Sequence, residues 1–503
     1  MAEEVEKKMP QEQVEEEKAG VILVVSDVPE AEEENNQEKD EKEPLLVPEA
    51  ENGQESVKKA EDYRSLQDEG NGTKIADLSE NEKKGLQELK QLIQEALDKH
   101  ELIASASGKE EKMPVAKEVA EKEKDSIPVQ TTAKTLMEDD GAKTVEAIEE
   151  TIIACVQEKP QETEQVFIWG VKLLEDEKSD VILLKFLRAR DFKVKDAFTM
   201  LKNTLKWRKE FGIDELIEQD LGNELEKVVF MHGYSKEGNP VCYNVYGEFQ
   251  NKDLYEKMFS DEEKRQKFLR WRIQFLEKSI RKLDFSPGGI STIVQINDLK
   301  NSPGPNRWEL RQATNQALQL FQDNYPEFVA KQIFINVPWW YLALNKMISP
   351  FLTQRTKSKF VVAGPSRSTE TLLKYISAEQ IPAQYGGLSK EGDFGVADGV
   401  TEIIVKPSAK HIVEFPVSEA CVASWETRVV GWEVSHGAEF VPSAENGYTI
   451  IIQKMKRIGA NEEQVISSSY KVSEPGKLVI TINNPTSRKK KLLYRFKTKL
   501  SVN

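Results

Sequence analysis

The chain has 503 residues, with 86 Asp+Glu against 70 Lys+Arg and a formal net charge of −16. The charge is unevenly placed: residues 1–150 hold 42 acidic against 20 basic side chains, −22 net, which leaves +6 for the remainder. This excludes a uniformly acidic globule and points to an acidic, aromatic-poor arm joined to a mildly basic body that alone can bury a core.

Residues 1–142 read as that arm, mostly disordered. The start, MAEEVEKKMPQEQ, lacks a basic region followed by a long apolar core, which argues against a secretory signal. Val21-Ile-Leu-Val-Val, followed by Ser26, Asp27 and a glutamate run, has the pattern of a SUMO-interaction peptide that adds a strand to a sheet edge; an incidental apolar patch has the same pattern. Over 79–99 the arm predicts one helix. Ser79 and Glu82 form a capping box, and Leu86, Leu89, Ile93 and Leu97 make an apolar stripe that needs a partner.

From 143 to 227 helical periodicity takes over, in AKTVEAIEETIIACVQE, SDVILLKFLRAR and KDAFTMLKNTLKWRKEFG, predicting an all-helical lobe. Residues 228–390 alternate strands with helices. Val228–Met231 and Pro240–Tyr246 flank a turn, then come ISTIVQIND, a helix through NRWELRQATNQALQLFQDNY, KQIFINV, a further helix, KFVVA and STETLLKYI. This order predicts a mostly parallel sheet with crossover helices, and the apolar strands predict that the sheet is covered. After Gly386-Gly387 the composition turns all-β, and 391–503 reads as a β-sandwich.

Catalytic signatures are absent from the sequence. Cys155, Cys242 and Cys421 are far apart and form no metal or redox pair, as suits a reducing cytosol. His100, His232, His411 and His436 are dispersed, and there is no nucleophile elbow, zinc-protease motif or phosphate-binding loop. The reading is therefore non-enzymatic, with no metal and no cofactor. Ser366, Ser368 and Thr369 in AGPSRST sit at a predicted helix start, where they either cap the helix or cradle an anion; capping is the commoner use.

The greasiest stretch, IFINVPWWYLALNKMISPFL at 333–352, is interrupted by Asn336, Pro338, Asn345, Lys346 and Pro350, and so fails as a membrane span. It predicts a strand, a turn at Pro338 and a short helix from Trp339. That helix is either buried in a core or lines an apolar cavity while Trp and Tyr meet a bilayer interface.

The ordered set Leu-Leu-Lys-Phe-Leu-Arg-Ala-Arg (183–190), Lys206-Trp-Arg-Lys, Gly238-Asn-Pro-Val, Ile296-Asn-Asp-Leu-Lys, Asn324-Tyr-Pro-Glu, Ile335-Asn-Val-Pro and Ser358-Lys-Phe resembles the CRAL-TRIO lipid-exchange proteins. With an acidic arm before it and a GOLD-like sandwich after it, the whole chain resembles the plant patellins. The resemblance implies a lipid pocket whose gate and cavity wall include Trp339, Trp340, Tyr341, Leu344, Met347, Ile348 and Phe351. It implies that Arg190, Glu327, Thr356 and Lys359 hold a phosphatidylinositol or phosphoinositide headgroup. It further implies a cytoplasmic, peripherally membrane-associated role in trafficking around the forming cell plate in cytokinesis.

The chemistry of the residues agrees, since an inositol phosphate needs a cationic clamp. A second cationic feature, Lys489, Lys490, Lys491, Arg495, Lys497 and Lys499, alternates with apolar residues and reads as a membrane-facing basic strand. The partners expected are an anionic membrane surface and phosphoinositides, with proteins docking on the arm and the sandwich, and no nucleic acid. The rival reading is a membrane-associated adaptor with a vestigial pocket.

Overall fold

The structure, a computed structural model, describes residues 77–102, 165–303, 307–339, 358–459 and 465–500. The apolar peptide at 21–25, the helix expected at 142–158, Thr356 and the gate residues from Trp340 to Phe351 lie outside these segments.

The helix expected at 79–99 is α1 (Glu80–Asp98), started by the capping box, with Ser79 N donating to Glu82 Oε2 at 2.8 Å and Glu82 N to Ser79 Oγ at 3.3 Å. The partner its apolar stripe needs is the helical lobe. Leu86, Leu89, Ile93 and Leu97 join the core of α2 (Glu177–Ala189) and α3 (Val194–Phe211), and Lys90 pairs with Asp180 of α2 at 2.7 Å. The sequence reading placed this helix in the acidic arm. It is instead part of the globular body, because an apolar face of four residues is unstable in water alone.

The lobe also holds a two-residue hairpin missed in the sequence, β1 (Phe167–Ile168) and β2 (Val171–Lys172), which inserts Trp169 into the core. After α3, Gly212 closes the helix at φ +68°, and α4 (Ile213–Glu218) follows.

The second layer is a five-stranded sheet: β3 (Val229–Tyr234) antiparallel to β4 (Pro240–Val245), then β5 (Ile293–Asp298), β6 (Val329–Ile335) and β7 (Phe360–Val362) all parallel, in spatial order 3-4-5-6-7. α5 (Lys252–Phe259) and α6 (Glu262–Ile280) link β4 to β5, and α7 (Trp308–Asn324) links β5 to β6. Val241, Tyr243, Val294, Ile296, Ile333 and Ile335 face α8 (Ser368–Tyr375). Strand alternation sends Cys242, Asn244, Gln295, Asn297, Gln332 and Phe334 to the opposite face, and Asn244 Nδ2 donates to Asn297 Oδ1 across it at 3.1 Å.

The C-terminal part is an antiparallel sandwich. One sheet orders β13 (Ile466–Val472), β10 (Cys421–Val429), β15 (Lys490–Leu500) and β8 (Thr401–Val405); the other orders β12 (Ile450–Ile458), β11 (Val434–Pro442), β14 (Gly476–Asn484) and β9 (Ala409–Val417). Trp425, Leu478, Ile480, Ile482 and Leu492 fill its core.

The two parts are joined through β10 and β15. Leu493 and Val465 pack into the α8 core, Arg428 Nη1 donates to Gly387 O at 3.0 Å, and Arg495 donates to Leu388 O at 2.8 Å and Gly395 O at 2.9 Å. Glycine is required at 387, where a Cβ would lie 2.1 Å from Ile381 O.

Candidate headgroup site

Glu327 and Lys359, far apart in sequence, meet at the start of β6 and β7 as a half-buried ion pair of 2.7 Å. Glu327 sits in the turn between α7 and β6 at φ +53°, a conformation that a non-glycine residue keeps only when its surroundings hold it. The holder is Lys185, in the middle of α2. Its Nζ donates to Glu327 O at 3.0 Å and Ser291 O at 2.9 Å and lies 4.5 Å from the centre of the Phe328 ring.

Sequence reasoning missed Lys185. The one signal was a charged residue inside the apolar run Leu183-Leu-Lys-Phe-Leu, a position that a solvent-facing helix residue also fills. It is only 3% exposed. Burial pulls its ammonium down to about 7 from an ordinary 10.5; the Glu327 charge opposes that shift, while Arg188 and Lys359 reinforce it.

The sign of the resulting pH dependence follows. Between pH 7 and about 10.5 the unfolded chain carries a proton on this lysine that the folded chain has lost, so stability rises with pH, by up to about 1.4 kcal/mol per unit. Below pH 7 the folded lysine is charged, and its desolvation opposes folding in full. Urea unfolding at pH 7 and pH 9 is expected to show this rise and to lose it in Lys185→Met. Equal slopes in the two proteins would overturn the assignment.

Arg190 caps the C-terminus of α2, half-buried, with Nη1 donating to Ala189 O at 3.0 Å. Arg188, three residues past Lys185 and so on the same helix face, is the arginine whose charge is felt at the Lys185 amine. The structure thus brings together Glu327, Lys359 and Lys185, with Arg190 at the end of the same helix. Trp339 is 80% exposed, so it faces outward and does not line an enclosed cavity.

Two expectations are corrected. The C-terminal strand is not a free basic face. Arg495 is buried and pairs with Glu426 at 2.7 Å, Lys491 pairs with Glu402 at 2.8 Å, Lys497 with Asp398 at 3.0 Å, Lys490 with Glu433 at 3.5 Å and Lys499 with Asp393 at 4.0 Å. Lys489 alone of the six keeps the expected exposure without a described pair. Nor does AGPSRST cap its helix, the commoner of its two expected uses: α8 starts without a side-chain cap, Ser368 Oγ accepts from Asn336 N and donates to Gly364 O, and Thr369 Oγ1 donates to Tyr385 O, which ties α8 to β6 and to the domain junction.

Among the described residues no group of His, Cys, Asp and Glu can hold a metal ion, and no helix is long and apolar enough to cross a membrane.

Comparison with known proteins gives three family matches: the CRAL/TRIO N-terminal domain over residues 85–203, the CRAL/TRIO domain over 225–387 and the Patellin-1-like C-terminal GOLD domain over 406–491. The first includes most of α1, in accord with its packing. Patellin-3 of Arabidopsis thaliana is 54% identical over 432 residues, 85% of this chain and 76% of that protein. Patellin-5 of the same plant is 64% identical over 67% of this chain and 52% of its own length. The phosphatidylinositol transfer protein SFH5 of Meyerozyma guilliermondii is 31% identical over 43% of this chain and 67% of its own. From the helical lobe through the mixed sheet to the closing sandwich, the chain belongs to the patellin family, with a CRAL-TRIO lipid-binding domain followed by a GOLD domain.

Proposed function

We propose that this protein carries or presents a phosphoinositide, with the headgroup held at Glu327 and Lys359, further positive charge from Arg190 and a hydroxyl from Thr356. The observation that carries the reading is the Glu327–Lys359 pair, fixed from below by Lys185. A carboxylate on a preset lysine keeps the cation in place when the site is empty, and can turn to inositol hydroxyls when a phosphate takes the lysine. Acyl chains supply most of the affinity, about 0.8 kcal/mol per buried CH₂, so the clamp sets selectivity. The similarity to a protein named for phosphatidylinositol transfer supports the ligand class. The family resemblance supports peripheral membrane association and a role in trafficking at the forming cell plate.

With most cations of β15 held in ion pairs, membrane contact by the sandwich falls chiefly to the edge strand β12. There Ile451 is 63% and Met455 52% exposed, beside Lys454 and Arg457, and Tyr448 just before the strand is 90% exposed.

The test is transfer of labelled phosphatidylinositol between liposomes. Arg190→Ala combined with Lys359→Ala is expected to lower it at least roughly tenfold, the worth of a charged hydrogen bond or two. Unchanged transfer would reject the site. The same exposed edge also favours a docking role, and in the adaptor reading the pocket is vestigial. Organic extraction of the purified protein and mass spectrometry separates the two, since an adaptor with a relic pocket yields no lipid and takes none up from vesicles.

A further inference from the structure

Of the four edge strands of the sandwich, β12 carries the most exposed large apolar side chains: Ile450, Ile451 and Met455, against Ile404 on β8, Ile412 on β9 and none on β13. Among the described residues it pairs only with β11. Val434, His436, Ala438 and Phe440 of β11 are buried in the sandwich, so the alternate residues Ser435, Gly437 and Glu439 face away from its core. Arg457 of β12 stands in register with Ser435 and Ile451 with Glu439, while Met455 folds over Gly437, where a Cβ would lie 3.3 Å from its terminal methyl. The outer face of β12 is thus apolar toward its start and cationic toward its end, where Lys454 is also exposed. No ion pair among the described residues includes Lys454 or Arg457.

A second copy of the chain fits this face poorly. A symmetric antiparallel pair would set Lys454, Lys456 and Arg457 of each copy against their own kind, and the register of β12 against β11 shifts twice. Edge cations and bulges are the devices that keep sheets from joining edge to edge. The complementary pattern lies in the chain's own arm. Val21-Ile-Leu-Val-Val is apolar, and residues 26–38 after it hold six carboxylates and no lysine or arginine. Apolar comes first and charged second, the same order as on β12. About 50 residues join Val25 to Asp77, a length that spans about 40 Å as a random coil and several times that when extended, so the arm can cross the face of a domain.

We infer that residues 21–34 dock on the outer face of β12 and run parallel to it, with the aliphatic run on Ile451 and Met455 and the carboxylates after it on Lys454 and Arg457. The uneven register offers no regular ladder for strand addition, so side chains carry the contact. Glu439 beside Ile451 repels the acidic run from that end and fixes the direction. Tethering makes a weak contact sufficient: against an effective concentration of about 1 mM, a dissociation constant of about 0.1 mM leaves the docked form favoured about ten to one. The docked arm covers the strand assigned above to the membrane, so arm and anionic bilayer compete for it. That competition rests on the membrane reading; the docking does not.

The test places the photocrosslinker p-benzoylphenylalanine in the full chain in place of Ile451, of Arg457 or, at the opposite edge of the sheet, of Ile412. Each protein is irradiated without lipid and its crosslinks are located by mass spectrometry. Position 451 is expected to join residues 21–25 and position 457 residues 26–34, within one molecule and at any protein concentration, and position 412 neither. Leu23→Ser with Val25→Ser is expected to lower the 451 crosslink roughly tenfold. Crosslinks between molecules overturn the proposal by naming a second copy as the occupant. Crosslinks scattered along the arm and unmoved by the serine substitutions overturn it as mere tethering, and the lack of any crosslink to residues 21–34 overturns it outright.

Binding to vesicles of phosphatidylcholine and phosphatidylserine separates this inference from the membrane reading. The double serine variant, which leaves the charge of the arm intact, is expected to bind roughly tenfold more tightly than wild type, and removal of residues 2–60 at least as much. If the crosslinks form as expected and vesicle binding does not change, the docking stands and the assignment of β12 to the membrane falls. If binding tightens only on removal of the arm, and the crosslinks are absent, general charge repulsion accounts for it and the docking falls.

Discussion

Glu277→Ala is expected to destabilise the N-terminal half by about 3–5 kcal/mol. Glu277 is fully buried in α6 and holds three elements at once. Arg208 of α3 grips it with both terminal nitrogens, one donating to Oε2 at 3.0 Å; Tyr325 OH donates to Oε1 at 2.8 Å, and Trp169 Nε1 to the same oxygen at 3.2 Å. Removing the carboxylate strands a guanidinium in the core and orphans the other two donors. Tyr325→Phe, which removes one donor and leaves the charge pair intact, is expected to cost only about 1 kcal/mol. Urea unfolding followed by far-ultraviolet circular dichroism checks both, and a cost below about 1 kcal/mol for Glu277→Ala would show that the cluster relaxes around the loss.

Arg495→Ala is the second large effect, also about 3–5 kcal/mol, and its signature is separation of the two halves. The side chain is 2% exposed and its partner Glu426 3%. Besides Glu426 it reaches Leu388 O and Gly395 O across the junction. Calorimetry is expected to resolve two transitions where the wild type shows one, and protease to cut between 388 and 398. Lys489→Ala, on the exposed start of the same run, is expected to change neither. If Arg495→Ala instead weakened liposome binding with unchanged unfolding, the strand would be a membrane face after all.

The misreading of Arg495 shows where sequence patterning stops. Alternation along β15 was legible, but it was read as one buried face and one wet one. Leu492 faces the sandwich core and Leu493 the α8 core, so both faces are covered, and which neighbour covers the second is settled by a domain far away in sequence. In contrast, α1 was legible down to its first hydrogen bonds, because a capping box is local. Glu327 and Lys359 were found through motif order, whereas Lys185 was not, since its acceptors are backbone carbonyls at Ser291 and Glu327 that no side-chain pattern records. The polar face of the sheet was likewise present in Val294-Gln-Ile-Asn and passed over, because its isoleucines and valines dominate the run.

The strand order 3-4-5-6-7 carries a last consequence. Open α/β sheets usually reverse direction once, and the reversal opens a crevice at the ends of two strands where ligands collect. From β4 onward this sheet never reverses, so it has no such crevice. Right-handed crossovers taken always in the same direction also fall on one side, leaving the opposite side bare unless something else covers it. In this protein α8 and the sandwich cover it. The C-terminal domain thus stands in for the second helical layer that the chain's own winding does not supply, and a ligand is left the crossover face, along the length of the strands.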